Sequence, residues 1–143
     1  MDIDFGLGKR LQQRVAIITG GGGGIGGSTA RLFAAHGAKV VVTDLDAVAA
    51  RETADAIRAE GGEALSLAHD VCSESEWNNI VRRVKEHWGG IDILVNNAGL
   101  HRATPMAEIS RAEWQRHLDI NLTGPFLGTQ YASYRRCSRV AGA

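Results

Sequence analysis

Thr19-Gly-Gly-Gly-Gly-Gly-Ile-Gly-Gly27 places seven glycines in nine residues. Glycine at that density makes either a loose linker or a cradle for a ligand, and the flanking residues decide between them. Val15-Ala-Ile-Ile-Thr19 enters the stretch as an uninterrupted, largely β-branched run, the pattern of a central parallel strand covered on both faces. Beyond it, Ile25, Thr29, Leu32 and Phe33 recur at helical spacing, with Gly37 as the stop. The glycines therefore occupy a strand-to-helix turn. At the start of a helix the backbone N–H groups lack partners and the peptide dipoles leave partial positive charge. A phosphate docks there once no Cβ blocks its approach. No lysine follows the run, so the GxxxxGK cradle of ATP-hydrolysing proteins is absent.

The pattern repeats along the chain. Residues 39–43 (KVVVT) predict a second strand, and residues 46–60 an exposed amphipathic helix stopped by Gly61-Gly62. Residues 64–68 predict a third strand. Ser73 and Glu76 form a capping-box pair ahead of a helix whose buried stripe is Trp77, Ile80, Val81, Val84 and Trp88. Gly89-Gly90 ends that helix, and residues 91–95 (IDILV) predict a fourth strand. Ser110 and Glu113 form a second capping pair, opening a helix with Trp114, Leu118 and Leu122 on one face. Strands alternating with helices specify an α/β fold, a Rossmann-type doubly wound parallel sheet. Its ligand site lies at the carboxyl ends of the strands.

Composition narrows the function. The 143 residues are 44% hydrophobic and carry 16 basic and 16 acidic side chains, which suits one soluble domain without a field for nucleic acid or anionic membranes. The start, MDIDFGLGKR, matches neither a secretory signal nor a membrane span, so a cytoplasmic address is expected. Cys72 and Cys137 have no metal-ligand spacing and read as reduced thiols; no metal is expected. Asp44 ends the second strand, where a carboxylate can accept the ribose hydroxyls of an adenosine and repel a 2′-phosphate. NAD is expected over NADP, with Arg51 the nearest candidate to offset that charge.

Thr19–Gly26 is similar to the TGxxxGxG signature of the short-chain dehydrogenase/reductase family, and Asn96-Asn-Ala-Gly99 resembles its NNAG signature. Asp70-Val71 and Asn121 also fall where that family has an adenine-contacting pair and an active-site asparagine, all in order over residues 14 to about 130. The resemblance implies an NAD-binding domain over residues 1–132, with four of the expected strands present, followed by an unpatterned basic tail, 133–143. It implies cofactor contacts from Gly20, Gly23, Gly24, Ile25, Gly26, Asp44, Leu45, Asp70, Val71, Asn97, Ala98 and Gly99. In the family, the asparagine matching Asn121 holds water in a proton relay through its main chain. Pro125, which has no N–H and crowds the carbonyl of Asn121, gives an independent reason to expect a kink that frees that oxygen. Asn97 is also expected to brace neighbouring loops through its amide.

The family's chemistry further needs a serine at the end of a fifth strand and a tyrosine four residues before a lysine. Neither is found in these 143 residues; Tyr131 and Arg135 have the spacing, but arginine does not replace the lysine. The tail reads as an early stop or a shifted frame. The fourth strand is then expected to be an exposed apolar edge, open to pairing or aggregation. The reading is the cofactor half of an oxidoreductase for small alcohols or ketones, with little or no turnover. Its oligomeric state, a homo-oligomer in the family, is open for this chain. Alternatives are a non-catalytic nucleotide-binding module and, against the NNAG signature, an S-adenosylmethionine-dependent methyltransferase.

Overall fold

A computed structural model describes residues 9–134. Arg135, Cys137 and most of the basic tail lie outside the described residues. One sheet of four parallel strands carries the fold: β1 (Val15–Thr19), β2 (Lys39–Asp44), β3 (Glu63–Ala68) and β4 (Ile93–Val95), in the spatial order β3-β2-β1-β4. The helices are α1 (Gly24–Ala35), α2 (Ala47–Ala59), α3 (Glu74–Trp88), α4 (Arg111–Leu118) and α5 (Gly124–Tyr134).

The uninterrupted apolar strands follow from burial on both faces. Ile18, Val40 and Val42 pack with Ala30 of α1 and with Ala50, Ala54 and Ile57 of α2. Their neighbours Ile17 and Val41 point the other way, onto Ile80 and Val84 of α3. A third cluster, Val71, Trp77 and Leu127, joins α3 to α5. The chain moves outward from β1 to β3 and then returns to the far side of β1 to form β4. This reversal opens a crevice at the strands' carboxyl ends.

Several local expectations are corrected. The buried face of α1 is Gly26, Gly27 and Ala30, whereas Ile25 is 80% and Leu32 42% exposed. The helix lies so close to the glycine loop that its smallest residues must face inward. A Cβ on Gly26 would overlap the Gly20 carbonyl oxygen and the Asn97 amide. Neither capping box is reciprocal. Ser73 and Ser110 each accept the N–H three residues on, but Glu76 turns to the Asp70 N–H (2.6 Å) and Glu113 to the Thr104 hydroxyl (2.7 Å). Trp114 is 51% and Leu122 65% exposed, so their helix face is not buried.

β4 is three residues rather than five. Asp92 instead clamps the start of β1, its carboxylate accepting the Val15 N–H (2.9 Å) and facing Arg14 (3.3 Å). β4 is an edge strand as expected, but all three residues are half-buried, and α5 packs alongside. The irregularity expected at Pro125 takes the form of a π-helical segment, Asp119–Thr123, in which the Gly124 N–H reaches back to the Asp119 carbonyl. The wider turn relieves the crowding that a proline ring imposes on the preceding turn.

Candidate functional site

A cleft of about 380 Å³ opens at the carboxyl ends of all four strands. Gly20 follows β1, Asp44 and Leu45 close β2, Asp70 and Val71 follow β3, and Asn97, Ala98 and Gly99 follow β4; all eight line the cleft.

Its floor is held by one hydroxyl and one amide. Buried Thr19 accepts the N–H groups of Asn97 (3.0 Å) and Ala98 (3.1 Å) on Oγ1 and donates to the Val95 carbonyl (3.3 Å). The Asn97 amide donates to the carbonyls of Thr19 and Gly20, both at 3.0 Å. Asn97 therefore ties β4 to the glycine loop, the bracing role its amide suggested. Gly20 has φ +62°, and a Cβ there would stand 2.9 Å from the Ala98 Cα. Only glycine both takes that backbone conformation and leaves room for Ala98.

α1 begins differently from α2, α3 and α4. Its N-cap, Gly23, supplies no side-chain hydrogen bond, and no acidic residue lies in its first turn. The starts of α2, α3 and α4 are capped by Asp46, Ser73 and Ser110. The first turn of α1 thus presents N–H groups with no side-chain acceptor among the described residues, and Gly23 and Gly24 have open space where a Cβ would be. Gly23, Gly24 and Ile25 are exposed at this turn rather than lining the cleft, and Gly26 is packed beneath it.

The Asp44 carboxylate accepts the Gly22 N–H at 2.9 Å and the Asp46 N–H at 3.0 Å. Asp70 accepts the Cys72 N–H at 2.9 Å. The Cys72 thiol is pushed up in pKa by burial, reinforced by the charge of Asp70 and a hydrogen bond to it. Val71 faces the cleft while its carbonyl accepts the Trp77 indole N–H at 2.9 Å. Asn121 does not line the cleft. Its side chain exchanges two hydrogen bonds with the Leu100 backbone (2.7 and 2.8 Å), pinning the loop after β4 against the π-helical segment. Tyr131 lies away from the cleft and donates to Glu74 of α3 (3.2 Å).

Four lining residues were not anticipated: His69, Leu100, Arg116 and Ile120. Leu100 directly follows NNAG, and Arg116 and Ile120 are four residues apart on one side of the chain's turn, spacings that could have suggested them. His69 is 3% exposed, its Nδ1 within 3.0 Å of the Thr43 hydroxyl and its ring edge-to-face with Trp77 at 4.3 Å. Burial lowers its pKa from 6.5 to about 4, against the opposing charges of Glu76 and Asp70. Among the described residues its Nε2 has no hydrogen-bond partner. Among the described residues no His, Cys, Asp or Glu side chains cluster as metal ligands, and no helix is long and apolar enough to cross a membrane.

The sequence and the fold are matched by known proteins. The family model for short chain dehydrogenases matches residues 14–142. An uncharacterized oxidoreductase of Thermotoga maritima is 38% identical over 132 residues, covering 92% of this chain and 52% of the relative. Galactitol 2-dehydrogenase of Agrobacterium fabrum is 40% identical over 133 residues, covering 93% and 51%. The crystal structure of a hydroxysteroid dehydrogenase from Escherichia coli superposes with a TM-score of 0.82 at 38% identity, covering 86% of this chain and 52% of that one. The chain thus spans about half the length of these relatives. With the glycine turn, the four-stranded parallel sheet and the family match in agreement, the chain belongs to the short-chain dehydrogenase family.

Proposed function

We propose that this chain is the dinucleotide-binding part of an NAD(P)-dependent oxidoreductase acting on small alcohols or ketones, with NAD preferred. The observation that carries the reading is the uncapped start of α1 beside a cleft whose walls come from the ends of all four strands. The residues fit such a cofactor. The first-turn N–H groups of residues 24–26 would face the diphosphate, and the open space at Gly23 and Gly24 admits it. Asp44 would accept the adenosine ribose hydroxyls, with Leu45 beside it. Asp70 and Val71 would meet the adenine, and Ala98 and Gly99 would pass the nicotinamide ribose, held in place by Asn97.

When bound, the cofactor supplies the hydride acceptor or donor. This chain's own residues bind and orient it, and the main chain at Asn121 would hold water for proton transfer. The serine and the Tyr-x-x-x-Lys pair that protonate the carbonyl oxygen in the family have no match in these 143 residues, so binding with little or no turnover is expected. A fluorescence titration with reduced NAD, with S-adenosylmethionine as the contrasting ligand, tests the reading. Saturable binding of reduced NAD supports it; binding of S-adenosylmethionine alone overturns it. An assay of NAD-linked alcohol oxidation on mass-verified protein tests the second clause, and sustained turnover refutes it.

A further inference from the structure

The carboxylate of Asp44 is held from two sides. The Gly22 N–H of the glycine loop reaches Oδ2 at 2.9 Å, and the Asp46 N–H at the entry to α2 reaches Oδ1 at 3.0 Å. Gly22 has no positive φ, so its backbone does not require glycine. Space does. A Cβ at position 22 would stand 2.7 Å from the Ala49 Cβ, 2.9 Å from Asp44 Oδ2 and 3.1 Å from Asp44 Cγ. Any side chain there must push the carboxylate, the first turn of α2, or both. The neighbouring Gly21 N–H bonds the Thr43 carbonyl at 2.9 Å, so the loop is fastened to the end of β2 and does not yield in their place.

We propose that Gly22 is a specificity-determining position, fixing the aim of Asp44 by its N–H and by its lack of a side chain. Discrimination between a ribose with a free 2′-hydroxyl and one carrying a 2′-phosphate then belongs to the Gly22–Asp44 pair. The inference rests on the dinucleotide reading above. Each Asp44 oxygen spends one acceptor site on a backbone N–H and keeps another for a ribose hydroxyl. A carboxylate anchored in that pose repels a 2′-phosphate at short range. Once displaced, it loses the hydroxyl bonds and the repulsion together.

The test is a titration of the 143-residue protein with reduced NAD and, separately, reduced NADP, read by nucleotide fluorescence. Gly22→Ala is expected to weaken reduced NAD about tenfold, the loss of roughly one hydrogen bond to a charged group, while reduced NADP changes less than about threefold. The affinity ratio between the two nucleotides is the readout, because a general loosening of the cleft weakens both alike. In an Asp44→Ala background, adding Gly22→Ala should leave that ratio unchanged. A parallel loss of both nucleotides, or the same change of ratio without Asp44, overturns the proposal. Should circular dichroism show Gly22→Ala unfolded, the Gly22→Ala/Ala49→Gly double variant removes the helix contact but keeps the pressure on Asp44, and the same criterion applies. If the unaltered protein binds neither nucleotide, the dinucleotide reading fails and takes this inference with it. If it binds reduced NAD and the ratio does not move in the variants, only this inference fails.

Discussion

Acidification should destabilise the protein through His69. The imidazole is buried between Thr43 and Trp77, and burial lowers its pKa from 6.5 to about 4. The folded state therefore binds a proton about 300-fold more weakly than the unfolded chain, equivalent to about 3 kcal/mol. The direction follows from proton uptake. Well above pH 6.5 the ring is neutral in both states and its titration contributes nothing to the difference between them. Between pH 6.5 and 4 the unfolded chain takes up the proton and the folded state does not, so stability falls as pH drops through this window and levels off, for this group, below pH 4. The measurement is the urea-unfolding free energy at several pH values for the unaltered protein and for His69→Asn, whose amide can still meet the Thr43 hydroxyl but does not titrate. The difference between the two curves should shrink or reverse by about 3 kcal/mol on going from pH 7 to pH 4. Curves that fall in parallel would refute the burial argument, since the acid loss would then come from other groups.

Three further outcomes are expected. Gly26→Ala should cost about 3 kcal/mol or prevent folding, because its Cβ would overlap the Gly20 carbonyl; a thermal melt checks it, and a variant as stable as the parent contradicts the close approach of α1 to the loop. Asn97→Ala removes two hydrogen bonds to the Thr19 and Gly20 carbonyls and should lower stability by about 2 kcal/mol in urea titration, with weaker binding of reduced NAD in the same samples. Trp77→Phe keeps most of the apolar volume but deletes the N–H bond to the Val71 carbonyl, and should cost about 1–2 kcal/mol by denaturant unfolding, whereas a neutral result would mean that carbonyl finds another donor.

Most of the fold was legible in the sequence, because the strands are short apolar runs punctuated by glycine. β1 has the expected bounds, and β2 and β3 each gain one residue, Asp44 and Glu63. What failed was phase and pairing. Of the stripe Ile25, Thr29, Leu32 and Phe33 read at helical spacing, Phe33 packs on the core, but the close contact at Gly26 and Gly27 turns Ile25 and Leu32 outward. Glu76 and Glu113 matched a local capping rule, yet each found a different partner in the loop just before its helix, Asp70 and Thr104, because the conformation of that loop decides which donor faces the carboxylate. In the site, the structure brings Asp44, Asp70, Val71 and Asn97 to Gly99 together in one cleft, because each follows the carboxyl end of a strand. His69 belongs to no motif and reaches the cleft through the way the end of β3 packs, which no local pattern encodes; Arg116 carried only the weak signal of its spacing from Ile120.

The indole of Trp77 has a consequence for how this molecule can be watched. Its ring is wholly enclosed, and its N–H grips the carbonyl of a residue whose side chain forms part of the cleft wall. Of the other two tryptophans, Trp114 faces water and Trp88 is partly open, so a blue-shifted emission component belongs to Trp77. That component overlaps the absorption of a reduced nicotinamide ring. The protein thus carries a built-in optical donor behind the wall its ligand would touch, and arrival of that ligand should be visible as selective dimming of the blue emission, with no label attached.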